Sequence, residues 1–102
     1  MRGQRITSRE NPAVKQYTAL ASSRRRRRED GCFTTEGVKL TLEAFTAGYT
    51  PEALFLPQDL PDSVRRLLIP PATARRRPYE ISPSVAAKLS RAGTPHGVLA
   101  VF

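Results

Sequence analysis

The chain is poor in the residues that most catalytic chemistry needs. Its 102 residues include one cysteine, Cys32, and one histidine, His96. A single thiol cannot close an internal disulfide, which fits a reducing, cytoplasmic setting. No Cys/His grouping with metal-ligand spacing can be drawn from one of each. The six glycines (3, 31, 37, 48, 93 and 97) are scattered at turns, so there is no Gly-rich phosphate loop. Long apolar runs are missing too. Nothing approaches about 18 consecutive apolar residues, so no membrane span is expected. The polar, basic opening of residues 1–10 lacks the apolar stretch of a secretory signal. The length is that of one domain.

Lysine is also scarce, and that scarcity is informative. Of 17 basic residues only Lys15, Lys39 and Lys88 are lysines; the rest are arginines. Against 9 acidic residues they give a net charge of +8 and an isoelectric point near 10.8. The excess is uneven. Most of it falls in residues 1–30, which carry Arg2, Arg5, Arg9, Lys15 and the run Arg24, Arg25, Arg26, Arg27 and Arg28. Arginine's planar fork suits phosphates and base edges better than an ammonium does. Codon composition could raise arginine content without function, but the clustering favours a polyanionic partner.

Along the chain, apolar spacing marks alternating helices and strands. Asn11-Pro12 reads as a helix cap followed by proline at the first helical position. Val14, Tyr17, Leu20 and Ala21 then recur at helical spacing, and the helix is expected to run on through the arginines to Gly31. Five successive arginines sweep more than a turn, so this stretch should project beyond the core. Residues 32–35 look like a short strand. A second helix follows Glu36-Gly37, with Val38, Leu42 and Phe45 on its apolar face, Leu40, Ala44 and Ala47 widening it, and Gly48 ending it. Residues 51–56 give a buried strand and residues 62–68 a short helix. Residues 69–74, with Pro70-Pro71, read as a helix-breaking connection into Arg75, Arg76 and Arg77. Residues 78–81 form another strand, and Ser82-Pro83 starts a helix that ends near residues 91–93. A Pro95-His96-Gly97 turn leads to a wholly apolar strand at 98–102. This alternation predicts an α/β domain with a mainly parallel sheet and helices on both sides. A strand that stops at the last residue suggests a natural chain that continues.

Chemistry is hard to place on these residues. Glu29 and Asp30 adjoin the arginine run and read as solvated helix-end charges rather than an acid/base pair. His96 sits in a turn and Cys32 beside Phe33, where structural roles are the simpler readings. The chain alone is not expected to be an enzyme. Binding is better supported: Arg5, Arg9, Lys15, the run at 24–28 and Arg75, Arg76 and Arg77 together could engage several phosphates. Gly37 opens a helix whose free amides favour an anion, with Lys39 in its first turn. The plain alternatives are a solvated Lys39 and a basic 75–77 loop with no defined contact.

Three segments carry a resemblance. Residues 6–15 (ITSRENPAVK) look like the opening of the SpoU (TrmH-like) RNA ribose 2′-O-methyltransferases. Residues 33–40 (FTTEGVKL), followed by Glu43-Ala44-Phe45, are similar to that family's Phe-x-x-Glu-Gly segment. Residues 94–101 (TPHGVLAV) resemble its Thr-Pro-Gln-Gly-Val-x-Ala-Val, with His96 in place of glutamine. The resemblance implies a substrate-binding domain spanning residues 1–102. Its fold would be the three-layer αβα sandwich of ribosomal proteins that bind kinked RNA, although Glu36 stands where those relatives carry asparagine. It also implies a knotted catalytic domain after Phe102 that binds S-adenosylmethionine, and a possible homodimer. The RNA-facing positions carried over are Asn11, Lys15, the arginines before Gly31, Glu36, Gly37 and Lys39. The partner would be structured ribosomal or transfer RNA, with the catalytic domain beside it. Two other readings stay open: a free-standing ribosome-associated RNA-binding protein, and a protein-interaction module.

Overall fold

A computed structural model of the chain describes residues 5–8, 10–72, 78–90 and 97–102, the side chains of 69–72 excepted. In chain order the elements are β1 (Arg5–Ile6), α1 (Pro12–Ser22), α2 (Arg24–Asp30), β2 (Thr34–Glu36), α3 (Val38–Thr46), β3 (Ala53–Pro57), α4 (Asp62–Ala72), β4 (Tyr79–Ile81), α5 (Pro83–Leu89) and β5 (Leu99–Val101). Two helices start where cap and proline chemistry places them. Asn11 Oδ1 accepts from the Ala13 amide at 2.9 Å, and Ser82 Oγ accepts from the Val85 amide at 3.3 Å. Each satisfies an orphan N–H, and the proline that follows has none to lose.

The five strands form one sheet in the order β1-β4-β3-β5-β2. β1 and β3 both pair parallel with β4, while β5 is antiparallel to β3 and to β2. Four strands therefore point one way and β5 opposes them. Alternating residues of the central strands feed two cores, as the pleat requires. On one face Ala53, Phe55, Leu99 and Val101 pack with Val14, Tyr17 and Leu20 of α1 and Val85 and Ala86 of α5. On the other Leu54, Leu56 and Ala100 pack with Ala44 of α3 and Leu68 of α4. All five residues of β3 are buried, as its unbroken apolar run predicts. The architecture is the expected αβα sandwich.

Several expectations need correction. The helix read through residues 12–30 is two helices, broken at Ser23, whose backbone is extended (φ −132°, ψ 112°). Ser23 leaves the helix because its hydroxyl caps α2, accepting from the Arg26 amide at 3.1 Å. β2 starts two residues later than residues 32–35 suggest. β1 has only two residues and no periodicity to reveal it. Leu40 is 49% exposed and Ala47 is exposed, while Thr41 is wholly buried in their stead. α4 continues to Ala72 through Pro70-Pro71. A proline in a last turn lacks one amide bond but is tolerated when tertiary contacts hold the helix, and Leu68 is fully buried just before. α5 ends at Leu89, with Ser90 as its cap. Among the described residues no helix is long and apolar enough to cross a membrane.

Candidate nucleic-acid interface

The arginine run forms a helix of its own, and none of its residues is buried. At the far end Gly31 adopts a left-handed conformation (φ 67°) and its amide donates to the Arg27 carbonyl. The five guanidinium groups meet different fates. Arg27 is half-buried and its Nη1 donates to the carbonyls of Leu20 (2.6 Å) and Ala21 (3.3 Å), orphan acceptors at the end of α1. Arg25 pairs with Glu29 at 3.2 Å and Arg26 with Asp30 at 3.5 Å. Arg24 and Arg28 are exposed and have no hydrogen bond or ion pair among the described residues.

Topology separates the other basic residues from this helix. β1, β4, β3 and β2 all finish at the same end of the sheet, where β5 begins. Asn11 and Lys15, in the first turn of α1, lie at that end, and so do Glu36, Gly37 and Lys39 at the start of α3. α1 has 11 residues, about 16 Å of helix at 1.5 Å per residue. It returns the chain to the opposite end, where α2 leads into β2. Asn11, Lys15, Glu36, Gly37 and Lys39 thus form a first group by sheet end alone, divided between the two outer strands β1 and β2 and between the two faces, and Arg24 to Arg28 form a second. Arg5 lies on the edge strand β1, exposed. Arg9, Arg75, Arg76, Arg77 and His96 lie outside the described residues.

Within the first group much of the polar capacity is already used. Asn11 caps α1, and Lys15 pairs with Glu10 at 3.1 Å across exposed surface. The Glu36 carboxylate accepts a hydrogen bond from the Ser90 hydroxyl at the end of α5. The Gly37 amide, expected to be open to an anion, donates to the Val98 carbonyl at 2.7 Å. Gly37 has φ 98°, a conformation glycine adopts without penalty, and this turn aims its amide at β5. Its own carbonyl accepts from the Thr41 hydroxyl at 2.7 Å. Lys39 is exposed with no partner among the described residues.

Three features were not legible in the sequence. A buried ion pair joins α4 to β4: Arg65 Nη1 donates to Glu80 Oε2 at 2.6 Å and Nη2 to the Pro57 carbonyl at 3.1 Å. Only the long-range pairing of β3 with β4 brings these residues together. Phe33, Phe45, Tyr49 and Phe102 form an aromatic cluster in which Tyr49 is 54% exposed. Cys32 is half-buried, and burial, with the nearby charges of Glu52 and Asp30, holds its thiol above the ordinary range. A thiol so placed is a poor nucleophile.

A family model, the MRM3-like substrate binding domain, matches residues 11–100. The chain belongs to that family. Among solved structures, this MRM3-like domain superposes on an rRNA methyltransferase from Sinorhizobium meliloti with a TM-score of 0.76 and 27% identity. The alignment covers 97% of this chain and 36% of the other. An RNA 2′-O ribose methyltransferase gives a TM-score of 0.73 at 27% identity, covering 96% of this chain and 36% of that one. The SpoU methyltransferase AviRb from Streptomyces viridochromogenes, in complex with AdoMet, gives 0.65 at 27% identity, covering 89% and 32%. The chain thus spans about a third of the length of these proteins. No curated protein matches it. The glycines of positive φ, 31, 37, 48 and 97, stand at four separate turns. No described group of three His, Cys, Asp or Glu could hold a metal.

Proposed function

We propose that this domain binds structured ribosomal RNA and presents a nucleotide to the catalytic domain of a 2′-O-ribose methyltransferase, the parent protein. The observation that carries the reading is α2, a short arginine-rich helix in which no residue is fully buried and which is capped at both ends. Surface that concentrates positive charge beyond what packing uses is suited to a phosphate polymer, whose neutralisation releases counterions. Such contacts supply affinity and orientation without reading sequence. Selection would then rest on the shape of the RNA, which structured RNA offers more readily than base edges in a deep groove. The catalytic domain would supply S-adenosylmethionine and the methyl transfer; no residue of this chain is given a step in it.

Competition binding tests this reading. The chain should bind purified ribosomal RNA at physiological salt with a dissociation constant tighter than about 1 μM, the upper end of non-specific binding. Transfer RNA at equal nucleotide concentration should displace it only weakly. Equal displacement by transfer RNA and heparin would reduce the interaction to charge alone, and no binding in dilute salt would refute it.

A further inference from the structure

We propose that α2 divides its five arginines by role. Arg27 positions the helix, Arg25 and Arg26 are restrained by the helix's own acids, and Arg24 with Arg28 forms the phosphate grip. This assignment rests on the RNA-binding reading above and adds which atoms carry it.

The geometry separates the roles. At about 100° per residue, Arg24 and Arg28 project only about 40° apart. Arg25, Arg26, Glu29 and Asp30 occupy the sector from about 100° to 240°, so each cation there has an acid one turn on. Both ion pairs run from arginine to a later acid, the weaker orientation, and the acids stand at the negative end of the helix. They damp Arg25 and Arg26 without removing them from solvent.

Arg24 and Arg28 have no such acid partner among the described residues. Like charges at i and i+4 repel, and their Cβ atoms lie about 5–6 Å apart. A phosphate between the two guanidinium groups would replace repulsion with charge-assisted hydrogen bonds. Arg27 points toward α1 and is occupied by the carbonyls of Leu20 and Ala21. That contact spans the extended Ser23 linkage, where backbone hydrogen bonding between the two helices is interrupted. It fixes the direction in which the grip faces.

Salt titration of the whole chain against purified ribosomal RNA tests the division. All the altered residues but Arg27 are exposed, so the fold is not at stake in those variants. R24A/R28A should shrink the log–log salt slope by about 1.4 to 1.8 and weaken binding about 25- to 60-fold near 0.1 M salt. R25A should cost under about half of what R24A costs, because the pair with Glu29 already offsets its charge. E29Q/D30N should tighten binding and steepen the slope. R27A should reduce the slope in the wild-type background yet add nothing to R24A/R28A, a coupling that an independent phosphate ligand would not show. Equal losses at all five positions, or an additive R27A, would overturn the assignment. A wild-type chain without RNA affinity would instead overturn the functional reading beneath it.

Discussion

Replacing Glu80 with leucine should be among the most damaging single changes to this domain. The Arg65 and Glu80 side chains are 8% and 4% exposed, and Glu80 Oε2 accepts from the guanidinium at 2.6 Å. The same guanidinium holds the Pro57 carbonyl, while its Nε has no partner. Removing the carboxylate would leave a cation almost out of water with one hydrogen bond lost and another donor already unsatisfied. Breaking such a pair costs about 3–5 kcal/mol, against a total stability of about 5–15 kcal/mol for a domain. At about 4–8 °C per kcal/mol, the melting temperature should fall by about 12–40 °C. Thermal unfolding followed by circular dichroism reads this directly. Replacing both partners, as R65M/E80L, removes the charge as well and should recover most of the loss. A drop under about 1 kcal/mol for E80L, the range of an exposed pair, would refute the reasoning.

Two smaller perturbations probe other parts of the account. Thr41→Val removes a fully buried hydroxyl that bonds the Gly37 carbonyl at 2.7 Å and Thr35 Oγ1 at 2.9 Å. Urea unfolding should show a loss of about 1–3 kcal/mol, since buried groups are left without that partner; an unchanged midpoint would contradict the role given to Thr41. Cys32 should react with iodoacetamide more slowly than free cysteine at neutral pH. The raised thiol is protonated there, and the rate should climb only as pH rises beyond the ordinary thiol range. A rate equal to that of free cysteine would show that neither burial nor the two acids act on it.

Much of the fold is legible from local chemistry. Asn11-Pro12 and Ser82-Pro83 start helices because the signal is contained in two adjacent residues. β3 and β5 are visible as unbroken apolar runs in a sheet covered on both faces. The misreadings share a cause in polar partners that the apolar pattern does not reveal. Thr41 is polar by pattern, yet its hydroxyl is met by Gly37 and Thr35, so it replaces Leu40 in the interior. Ser23 could continue a helix but caps the next one instead. Arg65 and Glu80 are 15 residues apart and meet only through the parallel register of β3 and β4.

The candidate site was legible as charge but not as geometry. The sequence treats the basic residues as one footprint, whereas the direction of α1 sends Lys15 and Arg24 to opposite ends of the sheet. The i,i+4 acids beside Arg25 and Arg26 can be read from the sequence, but the docking of Arg27 depends on the break at Ser23, which the apolar pattern does not show. Arg27 meets α1, Arg25 and Arg26 meet acids, and Arg24 and Arg28 meet solvent. A helix start at Gly37 predicts an amide open to an anion, but the Val98 carbonyl beside β5 takes that amide first.

A ¹H–¹⁵N NMR titration of the chain with a ribosomal RNA hairpin would test the central claim most directly. Amide shifts concentrated in α2 and the end of α1, weakening as salt rises, are the result this account predicts. Shifts confined to the Glu36–Lys39 edge, or none at all, would contradict it.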